Sequence, residues 1–287
     1  MSWRVARRAR MRAVAAFVMA LVGTLAVAGH AASGENPEVS LRRAAERTSF
    51  SNEEIADGFF KVAFGAELEL GRQVHRIRKF EEPVRVFVVD GGNRARKAEI
   101  AAVVGDIRSR VNHLDLAMTN DRRAANFVVT LVRQRDLGRT IRARYGRNRE
   151  NRIQQALDPE CLAGIGKDET YRVRRAEVIL PIDAGDFTFY DCAYEEVLQG
   201  LGPINDDASV PWTMFNDDIH MGFFDRYDQY ILNILYDPAV RPGMTKEEVR
   251  KIFAEIMPRV RSWVASTNPL QQTEAQNGSD ALKDGLQ

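Results

Sequence analysis

Three short apolar runs, VRVFVVD at 84–90, ANFVVTLVR at 125–133 and YRVRRAEVILPI at 171–182, are separated by segments whose apolar residues recur at helical spacing. Such a chain is restricted to a layered α+β domain, because each strand exposes a face that only a helix or another sheet can cover. Ser51 can cap a helix that carries Glu53 and Glu54 in its first turn and Ile55, Phe59 and Val62 as its apolar stripe. Ile100, Val103, Val104, Ile107 and Val111 mark a second helix over 94–111. RQVHRIRKF at 72–80 alternates and reads as one more strand, turning at Glu81-Glu82-Pro83 into VRVFVVD. Residues 134–160 are polar and Arg-rich, an excursion with a short helix expected near 150–157. Further helices are expected at 191–201, 227–236 and from Thr245, whose spacing to Glu248 is that of a capping box.

The N-terminus sets the compartment. MSWRVARRARMR is basic, AVAAFVMALVGTLAVA is apolar, and Gly29 and Ala31 are small. That sequence of features is an export signal, so residues 1–31 are read as a cleaved signal peptide and the protein as periplasmic or secreted. Cleavage after Ala28 and an uncleaved anchor are the other readings, the apolar stretch being just short of a confident span. No other stretch is apolar enough to span a membrane, so no stable span is expected after cleavage. Residues 32–50 read as a polar leader, 51–265 as the folded domain with its C-terminal helix, and 266–287 as a disordered tail. In an oxidising compartment the only two cysteines, Cys161 and Cys192, are expected to pair, with two buried free thiols as the alternative. Lys and Arg number 41 against 40 for Asp and Glu, so no charge excess points to a nucleic acid. The basic runs RIRK at 76–79 and RVRR at 172–175 read as solvated sheet faces.

YEEVLQGLGPINDD at 194–207 carries the most chemistry. Laid on the metzincin motif HExxHxxGxxH, it puts Glu195, Gln199 and Asn205 at the three histidine positions and retains Glu196 and Gly202. In that motif two imidazoles at i and i+4 and a third from the following turn hold zinc, the glycine turns the backbone, and the glutamate deprotonates the bound water. The resemblance to matrixin-type metzincins extends to Met214 in SVPWTMFND, where they bury a methionine under the metal, and to FDRYDQYILNILYDP, which matches the helix after it. CAYEEVLQGLGPIND with LYDPAVRPGM closely resembles the uncharacterised bacterial family called domain of unknown function 2927. The resemblance implies an α+β, zincin-like (metzincin-type) mixed sheet with an active-site-type helix and a C-terminal helical segment.

With every imidazole replaced, no metal and no cofactor are expected. The resulting reading is a pseudoenzyme that binds a peptide or an envelope protein through Glu195, Gln199, Asn205 and Asp206, with Gly202 and Met214 in structural roles. Its rival is a divergent metal-dependent hydrolase that uses Glu196 as general base and Glu195, Gln199 and Asn205 or Asp206 to hold a divalent ion. A structural envelope protein without a groove is the third. Taken alone, the helix has Tyr194, Val197, Leu198 and Leu201 as its apolar stripe, which leaves the polar residues as a solvated side. NDD at 205–207 and at 216–218 invite a calcium reading, but neither has the spaced ligands of a known loop, and turn chemistry accounts for both. His75, His113 and His220 are too scattered to read as ligands, and no Gly-x-Ser-x-Gly elbow is present.

Overall fold

The computed structural model describes residues 35–65, 75–148, 151, 153 and 160–268. It is mixed α/β. In chain order its elements are α1 (Pro37–Ala44), α2 (Asn52–Val62), β1 (Val84–Val89), α3 (Arg94–Arg110), β2 (Leu116–Met118), β3 (Phe127–Val132), α4 (Leu137–Tyr145), β4 (Leu162–Lys167), β5 (Val173–Pro181), α5 (Asp186–Gly200), α6 (Arg226–Leu235) and α7 (Lys246–Thr267). The strands form one sheet in the order β2-β1-β3-β5-β4, parallel except for β4, which runs antiparallel to β5 at the edge. Parallel neighbours need crossovers, and α3 and α4 lie on the connections that supply them.

The helices form where their ends are satisfied. Ser51 with Glu54 and Thr245 with Glu248 make full capping boxes at the starts of α2 and α7. Ile55, Phe59 and Val62 of α2 and Ile100, Val103, Val104 and Ile107 of α3 are buried, as their spacing predicts. Each such side chain contributes roughly 1.5–3 kcal/mol on leaving water. Helix α5 lies close on the sheet at Gly200, where a methyl group would stand 2.6 Å from the Phe127 ring.

Several expectations need correction. The leader contains α1, capped by Asn36 and held by cation-π contacts of Arg42 and Arg43 with Phe187 and Phe223. Within RQVHRIRKF the described residues 75–80 form no strand beyond an isolated bridge at Lys79 to Arg172. Nor is RIRK a solvated face: Arg78 and Lys79 are buried. The Lys79 ammonium donates to the carbonyls of Leu235 and Asp237 at the end of α6, and burial lowers its pKa to about 8. RVRR does face solvent at Arg172 and Arg174, which pair with Glu81 and Glu82. The excursion is helical at 137–145, earlier than expected, and most of 150–157 lies outside the described residues. Strands β2 and β4 escape sequence reading because LAM is three residues long and LAGIGK is broken by glycines. Helix α5 starts five residues before Asp191, at Asp186. The export signal and the tail from 269 also lie outside the described residues. Among the described residues no helix is long and apolar enough to cross a membrane.

Cys161 and Cys192 form a disulfide with Cα atoms 6.0 Å apart. It joins the start of the edge strand β4 to α5, so one covalent link spans the sheet edge and the motif helix. With the partners 31 residues apart in sequence, loop-closure entropy gives a stabilisation of about 3–4 kcal/mol. Replacing both cysteines by Ala is therefore expected to lower the unfolding free energy by about 3 kcal/mol in urea titrations. Reductant should lower the wild-type midpoint similarly and leave the double variant unaffected.

Candidate functional site

At the end of α5 the chain reaches Gly202 with φ +142°. A β-carbon there would lie 2.3 Å from the Arg78 carbonyl oxygen, so only glycine makes this turn. Beyond it, residues 203–207 run back beside the helix, and Gln199 Nε2 donates to both carboxylate oxygens of Asp206 at 3.0 and 2.9 Å. The next loop is joined to this one by the Asp207 amide, which donates to the Phe215 carbonyl at 2.9 Å. The outcome is a convergence of acids: one carboxylate oxygen each from Glu195, Asp206 and Asp217 lies within 4.8 Å of the other two.

The two NDD triplets behave alike. In each, the asparagine serves the fold: Asn205 Nδ2 donates to the Lys61 carbonyl at the end of α2, and Asn216 Nδ2 donates to the Val210 carbonyl. In each, the last residue takes part in a turn, Asp207 accepting from the Ser209 amide and the Asp218 amide donating to Asn216. The middle residues, Asp206 and Asp217, are the ones that reach the cluster. Of the residues singled out in the sequence, the structure thus gathers Glu195, Gln199 and Asp206 and turns Asn205 away toward α2. Asp217 belongs to the second NDD, whose calcium reading gives way to turn chemistry on the sequence alone, and it is the structure that brings it beside Glu195 and Asp206.

The electrostatics follow from crowding. Glu195 is partly buried, and its side chain makes no hydrogen bond or ion pair among the described residues. Burial, then the negative charges of Glu196, Asp206, Asp191 and Asp217, hold its carboxyl well above the usual carboxylate range. Glu196 is buried and is not one of the three converging acids. Its field also reaches Tyr145 of α4, whose hydroxyl is pushed up to about 12 by burial and by Glu177 and Glu196.

Buried acids also fix the loops that frame the cluster. Asp191 of α5 accepts from the amides of Met221 and Gly222 at 2.7 and 3.0 Å and pairs with His220 Nδ1 at 2.7 Å. Asp228 of α6 accepts from the Thr213 hydroxyl and, at 2.9 Å, from the Met214 amide. Met214 is 1% exposed, and the stretch 213–216 around it is core, while Trp212 and Asp217 on either side are exposed. Asp225 caps α6 by accepting from the Asp228 amide. Both carboxyls are buried. Burial raises Asp228 to about 6 and, together with the Asp228 charge, lifts Asp225 well above the ordinary range.

A raised carboxyl favours the protonated native state, so its contribution is full below the unfolded pKa near 4 and is lost as pH rises through the folded value, here about 6 for Asp228. Asp225→Asn removes one buried like charge and keeps an oxygen to cap α6. Relative to wild type it is expected to gain about 1–2 kcal/mol at pH 8 and little or nothing at pH 4.5. Urea unfolding at the two pH values checks this.

Against known proteins, the family model described as "Protein of unknown function (DUF2927)" matches residues 52–255. No curated protein and no solved structure matches the chain.

Proposed function

Because the chain belongs to the DUF2927 family, whose description assigns no activity, we propose its function from the geometry: an exported, zincin-like binding module of the cell envelope that holds a hard divalent cation and does not hydrolyse peptides. The observation that carries this reading is the convergence of Glu195, Asp206 and Asp217. Two oxygens on opposite sides of a calcium ion, each at roughly 2.4 Å, stand about 4.8 Å apart. The three carboxylates therefore fit one coordination shell, with Gln199 orienting Asp206. Zinc is a poor fit for the same residues. Tetrahedral zinc sites are built from imidazole and thiolate, and the motif offers Glu195, Gln199 and Asn205 where imidazoles would stand, with the Asn205 amide group already given to Lys61.

The glycine turn at Gly202, the buried Met214 and the helix that follows it support zincin ancestry. The disulfide is compatible with an oxidising, extracytoplasmic compartment. A bound cation would neutralise the crowded acids and leave open coordination positions for a carboxylate or carbonyl of a peptide or envelope-protein partner. Glu196 as general base remains the rival role, favoured only by its place in the motif.

Calorimetric titration of metal-free protein with Ca²⁺, Mn²⁺ and Zn²⁺ is the test. Ca²⁺ or Mn²⁺ is expected to bind one per chain. Glu195→Gln should weaken that binding by about tenfold or more, which is at least 1.4 kcal/mol. Casein should remain intact with any of the three ions. Chelator-sensitive cleavage that Glu196→Gln abolishes without unfolding the protein would replace this reading with the hydrolase.

A further inference from the structure

The Arg-rich excursion has no role in the cation site. Between 133 and 148 stand six arginines against one acid, Asp136, in a chain whose formal net charge is +1. All six, at 133, 135, 139, 142, 144 and 147, are exposed. Helix α4 orders them. Its Leu137 and Ile141 are buried with Leu162 and Ile179 in a small core of their own, while Arg135, Arg139 and Arg142 recur at i, i+4 and i+7 on the solvent side. Such a stripe runs for roughly 10 Å along the helix.

Acids do not balance this charge as they balance RVRR, where Arg172 and Arg174 pair with Glu81 and Glu82. Within the excursion Asp136 pairs with Arg139, whose side chain is 78% exposed, and Glu177 lies 3.9 Å from Arg144. Arg133, Arg135 and Arg147 meet no acid among the described residues. The sheet also separates the arginines from the acid cluster. Ile179 of β5 points into the small core under α4, whereas Ala176, Val178 and Leu180 point into the main core, where Gly200 of α5 meets Phe127 and Ala176. The basic helix therefore covers one face of the sheet, and the helix that bears Glu195 covers the other.

We propose that the outer face of α4 docks the protein peripherally on an anionic phospholipid membrane, with the acid cluster turned away from the lipid. A guanidinium binds phosphate oxygens with two N–H groups, and each arginine near an anionic leaflet adds roughly a factor of five in affinity. A single-stranded nucleic acid would need exposed rings on which to stack. The one aromatic residue in 133–148, Tyr145, is half-buried with its hydroxyl turned to Gly164 of β4. The proposal rests on the extracytoplasmic reading of the chain, in which a lipid leaflet is the extended phosphate surface at hand. It does not depend on the cation.

The test is flotation of the protein, as recovered after export, with vesicles of phosphatidylcholine containing about 30% phosphatidylglycerol. Low salt and EDTA are used, so that no divalent ion bridges the acid cluster to the headgroups. Binding is expected to these vesicles and not to phosphatidylcholine alone, and should fall at least about tenfold in about 0.5 M NaCl. Arg135→Gln, Arg139→Gln and Arg142→Gln together should weaken it about a hundredfold with an unchanged Tm, and Arg135→Gln alone about fivefold. A charge-matched control, Arg94→Gln, Arg108→Gln and Lys251→Gln, changes exposed residues of α3 and α7, which pack into the main core, and should bind as wild type. No flotation at low salt, equal binding to phosphatidylcholine alone, or equal weakening by the two triple variants would overturn the proposal. So would duplex DNA that displaces the vesicles at equal phosphate concentration, which would identify a nucleic acid instead. Flotation reports the surface and the amino terminus of the recovered protein reports export, so the two readings can fail separately.

Discussion

Chain direction at the end of α5 depends on one contact: the α-carbon of Gly202 packed against the carbonyl of Arg78. No side chain fits there, and the φ of +142° is one that residues with a β-carbon rarely adopt. The turn sends residues 203–207 back along the helix instead of away from the sheet, and only that course brings Asp206 under the Gln199 amide. Arg78 is itself held in place, since its buried guanidinium donates to the Gly65 carbonyl while neighbouring Lys79 closes the end of α6. A run of basic residues that would suit a solvent face thus forms the buried floor beneath the motif.

Above this floor the molecule tolerates an unusual density of buried acid. Asp191, Glu196, Asp225 and Asp228 are all buried, and Glu195 is partly so. Three of them have clear structural work: Asp225 caps α6, and Asp191 and Asp228 receive backbone amides from the loops at 221–222 and 214. Glu195 has no such task. A carboxyl raised by burial and by four neighbouring acids is costly unless something positive is bound. The proposed cation offsets that cost.

How much of this was legible beforehand can be argued residue by residue. The capping boxes at Ser51 and Thr245, the buried stripes of α2 and α3 and the pairing of the two cysteines were readable because each rests on local spacing or on simple parity. The short edge strand LAGIGK was not, because its glycines carry no strand signal and its place is set by pairing with β5. In the motif, Glu195 and Gln199 were readable from i, i+4 spacing. Asn205 was misplaced because the register HExxHxxGxxH ends on it, whereas the turn rotates it toward α2 and brings Asp206 inward. Asp217 arrives from a separate loop through the backbone link between Asp207 and Phe215, a tertiary contact that motif spacing cannot encode.

The central claim is that the converging carboxylates of Glu195, Asp206 and Asp217 form an oxygen-donor cation site. Anomalous diffraction from crystals grown metal-free and then soaked in Mn²⁺ tests it most directly. The account predicts a single strong peak between the carboxylates of Glu195, Asp206 and Asp217, absent from Glu195→Gln crystals. A fully ordered structure with no peak at that position, or with the ion held by other residues, would contradict it.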